Sequence, residues 1–314
     1  PVSIKLSEYL NKDVLFSPET HGQNLTTMAK NLEKGQVLLI ENTRYEDIPD
    51  KKESNCDDNL SKYWASLGEI FINDAYGSCH RNHASVTGIP KYLPSGIGFL
   101  VEKELQKIDN ILDSKTHPFV AVLGGKKVDD KITLIESLVQ QSDKLIIGGA
   151  MSFTFLKAKG YNTGNSIIST EHLDFAKNML DKYSNKIVLP IDFITETEVK
   201  DTEEFSSDDI GYDIGPKTIK LFEKELEGAK TVVWNGPAGV FEVEKFAVGT
   251  KAICETLANL KGATTIIGGG DSAAAAISMG YEKKFTHIST GGGASLEYLE
   301  GKALPGVTCL SDVK

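Results

Sequence analysis

Apolar runs that read as strands alternate with helix-like segments along the chain, and this alternation limits the possible folds more than any other feature. The runs are apolar throughout, which is typical of strands that are covered on both faces. Strands that alternate with helices form parallel sheets. We therefore expect an α/β fold built on parallel sheets. The predicted strands lie at 13–16, 36–40, 69–73, 118–123, 143–147, 186–190, 230–234, 263–267 and 284–288.

A helical pattern at 99–112 divides the chain into two α/β units. We predict one unit over 1–98, the connecting helix over 99–112 and a second unit over 113–303. The acidic stretch 194–210 (ITETEVKDTEEFSSDDI) interrupts the second unit, and we interpret it as a surface excursion. Ligands bind beyond the carboxyl ends of the strands in open parallel sheets, so we expect the chemistry there.

Charge and cysteine content restrict the partners and the compartment. The 314 residues carry a net charge of −10, which argues against nonspecific binding to nucleic acid. There is no apolar run of about eighteen residues and no visible export signal, so we expect neither a membrane span nor export. The cysteines are far apart and show no metal-binding spacing, which favours reduced thiols in the cytoplasm. They are Cys56, Cys79, Cys254 and Cys309.

Four strand ends in the second unit are rich in glycine: LGGKK (123–127), IGGAM (147–151), WNGPAG (234–239) and IGGGDS (267–272). Close packing of a helix on a strand explains a single such turn. Four of them in one sheet predict a surface of bare backbone N–H groups, which suits phosphate. None has the spacing of a P-loop or of a dinucleotide fingerprint. This argues against a Walker-type ATPase and against a Rossmann oxidoreductase.

Charged residues accompany these glycines. Lys126, Lys127 and Lys131 follow the first turn, where they could neutralise phosphate charge. Asp271 opens a helix-like segment, and two interpretations stay open for it: an N-cap of that helix, or a carboxylate that faces Mg²⁺. A further segment, STGGGASLEYLEG (289–301), again places bare amides before a short helix.

The two arginines of the chain, Arg44 and Arg81, stand out among 34 basic residues. A guanidinium group binds carboxylate or phosphate with two parallel hydrogen bonds, which lysine cannot do. Both arginines follow predicted strands of the first unit, and Arg81 lies between His80 and His83. We therefore expect a second anion site in that unit.

The motifs, in their order and spacing, resemble the phosphoglycerate kinase family over the whole chain. They are LLIENTRYED, FINDAYGSCHRNHAS, GFLVEKEL, VLGGKKVDDKI, IIGGAMSFTFLK, DIGPKT, VVWNGPAGVFE, IIGGGDSAAAA and HISTGGGASLEYLEGKALPG. The resemblance implies two Rossmann-like parallel-sheet lobes joined by a helix and a hinge. It places phosphoglycerate on the first lobe and the nucleotide on the second, and it packs the tail 304–314 back on the first lobe.

The activity that this resemblance implies is a step of glycolysis. A phosphoryl group would pass reversibly from 1,3-bisphosphoglycerate to MgADP, giving 3-phosphoglycerate and MgATP. Mg²⁺ would be the cofactor. We expect a cytoplasmic monomer without nucleic-acid or membrane partners. Phosphoryl transfer needs positioning and charge neutralisation more than a nucleophilic side chain, which agrees with the glycines and lysines.

The resemblance also assigns roles to individual residues. Lys127 matches the lysine that stabilises the transferring phosphoryl group, and Gly292 and Gly293 open the helix that faces it. Asp271 matches the aspartate on the Mg²⁺ side. The residues expected to bind phosphoglycerate are Arg44, His80 and Arg81, and those expected to bind nucleotide are Gly125, Lys126, Lys127, Lys131, Gly149, Ala150, Tyr212, Asn235, Pro237, Glu242, Gly270, Asp271 and Ser272.

Some positions depart from the family's pattern. Lys126, Ala150 and Tyr212 stand where the family usually has alanine, glycine and an aliphatic residue or methionine, so nucleotide affinity or base preference could differ. We find no counterpart of the family's first strand and its arginine, and we expect the first quarter of its chain, and so part of the first lobe, to be absent. Two functions follow: an active phosphoglycerate kinase, or an inactive fragment that binds nucleotide.

Overall fold

The chain forms alternating strands and helices over residues 1–113 and 116–311, which the computed structural model describes. Its strands are β1 (Val14–Ser17), β2 (Val37–Ile40), β3 (Phe71–Asn73), β4 (Ser95–Ile97), β5 (Phe119–Leu123), β6 (Lys144–Ile147), β7 (Ile187–Val188), β8 (Asp192–Ile194), β9 (Val199–Asp201), β10 (Asp213–Ile214), β11 (Thr231–Asn235), β12 (Thr264–Gly268) and β13 (His287–Ile288). Its α-helices are α1 (Val2–Leu10), α2 (Gln23–Lys30), α3 (Asp58–Ala65), α4 (Phe99–Asp113), α5 (Ile132–Gln141), α6 (Ser152–Ala158), α7 (Leu173–Lys182), α8 (Pro216–Leu226), α9 (Val248–Asn259), α10 (Gly270–Ser278), α11 (Gly293–Leu299) and α12 (Pro305–Thr308). The predicted strands all coincide with observed ones.

Two units make up the fold. The smaller unit contains Pro1–Lys103 and the tail that begins at Ala303, and the larger unit contains Glu104–Lys302. The boundary falls inside α4. Residues 114 and 115 of the predicted second unit and the last three residues of the predicted tail lie outside the described residues.

The larger unit is built on six parallel strands in the order β13-β12-β11-β5-β6-β7. Its central strands β5 and β11 are buried at every position, so both faces of the sheet are covered. Asn235 lies opposite both Leu123 and Gly268, so three neighbouring strands end at the same level. Because all six strands are parallel, their carboxyl ends share one edge of the sheet.

Helix α8 shows how the local sequence supports this arrangement. Pro216 begins the helix at a position where its fixed backbone and missing N–H cost nothing. Thr218, Phe222 and Leu226 repeat at the spacing of one helical face and are buried. The Asp192 carboxylate accepts a hydrogen bond from the Thr218 N–H at 2.7 Å, which satisfies an otherwise unpaired amide of the first turn.

The stretch 194–210 is exposed at about half of its positions, as expected of a surface excursion, and it also has regular structure. Strand β8 ends at its start and pairs antiparallel with β9 on one side and with β10 on the other. Phe205 is only 5% exposed and packs edge-on against Phe193, with ring centroids 5.7 Å apart. Lys200 and Asp209 form an ion pair at 2.9 Å. One buried aromatic ring and internal charge pairing therefore give this acidic stretch a fixed structure.

The smaller unit contains two separate two-stranded parallel sheets, β1-β2 and β3-β4. Leu60, Trp64 and Ala84 form a buried cluster in this unit. The tail packs on the same unit, since the Asn73 Nδ2 donates to the carbonyl of Gly306 at 2.8 Å. A Cβ on Gly306 would clash with its neighbours at 2.7 Å, so only glycine permits this approach.

Among the described residues, no helix has the length and apolar character needed to cross a bilayer. All four cysteines are free thiols.

Candidate active site

Five loops of the larger unit emerge at the carboxyl edge of the six-stranded sheet. They follow the neighbouring strands β13, β12, β11, β5 and β6, so each loop lies beside the next. These loops contain all the glycine-rich segments that the sequence singles out, at 123–127, 147–151, 234–239, 267–272 and 289–301. The parallel topology therefore gathers segments that are far apart in sequence.

Glycine is required where three of these loops touch. A Cβ on Gly149 would lie 2.5 Å from the backbone nitrogen of Gly125, and one on Gly236 would lie 2.3 Å from the carbonyl oxygen of Gly124. Gly149 and Gly236 also have φ values of 62° and 95°, which side chains disfavour. The Gly125 N–H donates to the carbonyl of Pro237 at 2.9 Å. The loops after β5, β6 and β11 thus form a continuous surface of backbone.

A cleft of about 410 Å³ opens beside this surface. Phe153, Phe193 and Tyr212 supply apolar lining, and Tyr212 stacks on Phe246 with centroids 4.6 Å apart and planes at 19°. Such a volume, apolar with a few polar groups, is typical of small-molecule sites. The predicted nucleotide residues that line it are Gly125, Lys126, Gly149, Ala150, Tyr212, Pro237, Glu242 and Asp271.

Lys131 and Ser272 hold the neighbouring loops together instead of lining the cleft. The Lys131 Nζ donates to the carbonyl of Gly124 at 2.7 Å and to that of Asn235 at 3.3 Å. The buried Ser272 hydroxyl oxygen accepts from the Gly236 N–H. These contacts fix the loops after β5, β11 and β12 relative to one another.

Asn235 carries a side-chain donor with no partner. Its side chain is buried, and its Nδ2 has no hydrogen-bond partner among the described residues. Buried polar groups nearly always have partners, so such an atom calls for an explanation. A Cβ on Gly269 would lie 2.6 Å from this Nδ2, so the loop after β12 passes directly over it. An oxygen-bearing ligand at this edge would supply the missing acceptor.

Four other predicted residues lie at the same edge but not in the cleft lining. Lys127 is exposed on the loop after β5, and Gly270 begins α10. Gly292 immediately precedes α11 with φ 41°, and Gly293 is the first residue of that helix. We call these four residues, Lys127, Gly270, Gly292 and Gly293, the rim of the cleft.

Asp271 lies in the first turn of α10, after the capping position that Gly269 occupies. No side chain caps this helix, so the N-cap interpretation of Asp271 was wrong. Its exposed carboxylate lines the cleft. Within residues 1–113 and 116–311, no group of three or more His, Cys, Asp or Glu side chains could hold a metal ion. A cation here would therefore need most of its oxygens from a ligand or water.

Asp213, which the sequence analysis passed over, also lines the cleft. Burial raises the pKa of its carboxyl to about 7, although the N–H groups of Ile214 and Gly249 donate to it at 2.8 and 2.7 Å. The carboxyl holds the first turn of α9 against β10. A Cβ on Gly239 would lie 2.2 Å from one of its oxygens, so it also shapes the loop after β11.

The smaller unit gathers basic side chains beyond β2 and β3. The Arg44 Nη1 lies 3.4 Å from the His83 Nε2, and the Arg81 Nε lies 3.4 Å from the His80 Nε2. Asp47 pairs with the Arg44 Nε at 3.1 Å and orients that guanidinium. Arg44, His80 and Arg81 therefore lie in the same unit, as part of an exposed patch beyond the strands.

His83 and Glu53 support this patch. Burial lowers the pKa of His83, and the charges of Arg44 and Arg81 lower it further against the opposing charge of Glu53. Glu53 is buried and accepts a hydrogen bond from the Ser85 N–H at 3.0 Å. Both arginines thus act on one imidazole. No local signal in the sequence marks Glu53.

The family model described as phosphoglycerate kinase matches residues 1–302. A phosphoglycerate kinase of Fusobacterium nucleatum is 55% identical, with 99% of this chain and 81% of the relative covered. One of Staphylococcus aureus is 54% identical with the same coverage. The chain belongs to the phosphoglycerate kinase family. Membership establishes its function as a phosphotransferase with a carboxyl group as acceptor, and the alternative of an inactive nucleotide-binding fragment is not favoured.

Solved phosphoglycerate kinases share the fold. The structure from Coxiella burnetii matches with a TM-score of 0.84 and 37% identity, covering 98% of this chain and 79% of that one. The structure from Pyrococcus horikoshii OT3 matches with a TM-score of 0.87 and 30% identity, covering 98% and 81%. The expected absence of a first quarter is not supported, because the chain spans 81% of the length of its curated relatives.

A buried acid of this phosphoglycerate kinase supports the glycine loop after β13. Glu104 on α4 accepts hydrogen bonds from the Ser289 hydroxyl at 2.9 Å and from the Thr290 N–H and hydroxyl at 2.8 Å each. The His287 Nε2 lies 2.7 Å from the same carboxyl. Burial raises the pKa of Glu104, but the hydrogen bonds from His287 and Thr290 outweigh burial and hold it below its ordinary value. The Gly291 N–H in turn donates to Ser289.

Proposed function

We propose that the cleft of the larger unit binds MgADP or MgATP and that the basic patch of the smaller unit binds phosphoglycerate. One observation carries the nucleotide assignment: five glycine-rich loops meet at one sheet edge, where the buried Asn235 amide has a donor to spare. Backbone N–H groups at such an edge bind phosphate. The apolar lining around Tyr212 suits a base and a ribose.

Lys127 and the glycines of the rim would act on the transferring phosphoryl group. The exposed Lys127 ammonium can approach the charge that spreads over the phosphoryl oxygens in the transition state. The N–H groups of Gly292 and Gly293 would donate to the same group from the loop after β13. Lys131 is occupied with two carbonyls and holds the loops, so we assign it a supporting part in phosphate binding.

Mg²⁺ would neutralise phosphate charge and orient the phosphates when it is bound with the nucleotide. Asp271, whose exposed carboxylate lines the cleft at the start of α10, would hold it, and the phosphates and water would complete its oxygen shell. This agrees with the absence of a ready-made metal cage among the described residues.

Arg44, His80 and Arg81 would hold the substrate's carboxylate and phosphate through charge-assisted hydrogen bonds. Asp47 pairs with Arg44 of that patch, and the buried Glu53 accepts a hydrogen bond from the Ser85 N–H near its histidines. We also propose a cytoplasmic monomer without membrane or nucleic-acid partners. The net charge of −10 and the four free thiols support this part.

Replacing Asp271 by asparagine tests the metal assignment. We expect the Mg²⁺ concentration for half-maximal activity to rise about tenfold, equivalent to about 1.4 kcal/mol, because a charged ligand becomes neutral. A coupled assay of ATP formation at varied Mg²⁺ measures this. Asp181→Asn is the matched control, since its carboxylate is 71% exposed on α7. An unchanged Mg²⁺ requirement in the Asp271 variant would contradict the assignment.

Arg81→Lys tests the phosphoglycerate patch. Lysine keeps the charge but loses the paired geometry of the guanidinium, so we expect the KM for 3-phosphoglycerate to rise about tenfold. The KM for MgATP should stay close to that of the unchanged protein, which provides an internal control. Arg44→Lys should behave alike. A rise confined to the nucleotide KM would place these arginines in the wrong site.

A further inference from the structure

The turn that carries Lys127 is held at two points. On one side, the Lys131 Nζ binds the carbonyls of Gly124 and Asn235. On the other side, Asp129 contacts the segment before α7. Its Oδ1 accepts a hydrogen bond from the Ser169 hydroxyl at 2.5 Å, and the His172 Nε2 lies 3.2 Å from the same oxygen.

The second contact reaches a buried helix. The Ser169 N–H donates to the Thr154 hydroxyl oxygen at 3.0 Å, and Thr154 on α6 is fully buried. A chain of hydrogen bonds therefore runs from α6 through Ser169 to Asp129.

The Asp129 carboxylate could compete with the phosphoryl group for the Lys127 ammonium. The two residues are two positions apart on the same turn and both are exposed; the Ser169 hydrogen bond, and after it the charges of His172 and Lys127, lower the pKa of the Asp129 carboxyl. A carboxylate that paired with Lys127 would withdraw its ammonium from the phosphoryl group. Ser169 and His172 both engage the Oδ1 of that carboxylate.

The geometry points to Ser169 and His172 as positioning residues for phosphoryl transfer: they clamp the Asp129 carboxylate and keep it from pairing with Lys127. This inference rests on the proposed role of Lys127. None of the three residues lines the cleft, so Ser169 and His172 act on Lys127 through the Asp129 carboxylate.

The clamp can be tested by breaking it and then removing its target. In Ser169→Ala/His172→Ala, the freed carboxylate can pair with Lys127, so kcat should fall about tenfold while the Kd for MgADP changes little. Adding Asp129→Asn should restore most of that loss. Raising the salt concentration to about 0.5 M should also reduce the loss of kcat in the double variant, because salt screens an exposed ion pair. Asp174→Asn in the same double variant is the control and should restore nothing.

A merely structural role predicts the opposite pattern. If Asp129→Asn leaves the defect unchanged or deepens it, the inference is overturned, and so it is if kcat and the Kd for MgADP change together. Single Ser169→Ala and His172→Ala variants repeat the test should the double variant unfold, which thermal unfolding reports. Lys127→Ala in the unchanged protein separates the two claims. Normal kcat there refutes the proposed role of Lys127, whereas low kcat there without restoration by Asp129→Asn refutes the clamp alone.

Discussion

Lys127→Ala is expected to lower kcat by about 10²–10³-fold and to change the affinity for MgADP far less. The Lys127 ammonium lies exposed at the rim, outside the cleft that we assign to the nucleotide. It would therefore gain its strongest interaction as charge develops on the transferring group. An interaction made mainly in the transition state affects turnover more than ground-state binding.

Stopped-flow or coupled assays of ATP formation, combined with calorimetric titration of MgADP, measure the two quantities separately. Lys157→Ala is a matched control, because Lys157 is an exposed lysine on α6 away from the rim. Lys126→Ala should weaken MgADP binding instead, since Lys126 lines the cleft. A Lys127 variant with normal kcat and weak binding would move Lys127 from the reacting group to the nucleotide.

Runs of apolar residues predicted the six-stranded sheet because central parallel strands are buried on both faces and need no polar positions. The strands β4, β8, β9 and β10 escaped prediction because each combines a short length with at least one charged or small residue (SGI, DFI, VKD and DI), so no apolar run marks it. Two of the three residues of β9 (Val199–Asp201) are charged, and the strand lies at the edge of its sheet. A short polar strand of this kind leaves no periodic pattern to read.

Some features of the candidate site were predictable from sequence, and others were not. Glycine-rich turns after strands are visible in sequence, and the parallel sheet brings them together. The hydrogen bond between Lys131 and Asn235 joins residues that are 104 positions apart, so only the folded structure reveals it. The same holds for the missing partner of the Asn235 Nδ2. Asp271 was ambiguous in sequence because a cap and a ligand share the same position near a helix start. The N-cap of α10 is Gly269, two residues before Asp271, which leaves the Asp271 carboxylate in the cleft lining.

Glu104 left a signal that the sequence analysis did not use. Val101, Glu104 and Ile108 fall at i, i+3 and i+7 of α4, which is one face of a helix, and all three are fully buried. An acidic residue on an apolar face indicates a buried partner. Its partner His287 lies 183 residues away, so the pattern could flag the acid but not identify what it binds.

Glu104→Ala is expected to destabilise the larger unit by about 3–5 kcal/mol, the usual cost of removing one member of a buried charged network. Four donor groups, from His287, Ser289 and Thr290, would lose their acceptor at once. Trp234 is fully buried in the larger unit, whereas Trp64 belongs to the smaller unit. Urea unfolding followed by fluorescence in a Trp64→Phe background therefore reports the larger unit.

The stability that Glu104 contributes should depend on pH. The pKa of Glu104 in the folded chain lies below its value of 4.5 in the unfolded chain. The ionised carboxylate therefore stabilises the fold fully above about pH 4.5, and that contribution is lost as the pH falls through the lower folded pKa. Glu104→Gln keeps the shape without the charge, so its stability deficit at pH 7 should shrink in acid. Glu223→Ala, an exposed acid on α8, should show no such deficit.

The Glu104 variants should also have a lower kcat, and this loss should be separate from the loss of stability. Glu104 holds Thr290, and Ser289 holds the Gly291 N–H, so the network fixes the approach to Gly292 and Gly293. Glu104→Gln measured at a temperature where it is fully folded should therefore still show a reduced kcat with near-normal MgADP affinity. Full kcat in that folded variant would show that the glycines keep their positions without the network, and Glu104 would then be a purely structural acid.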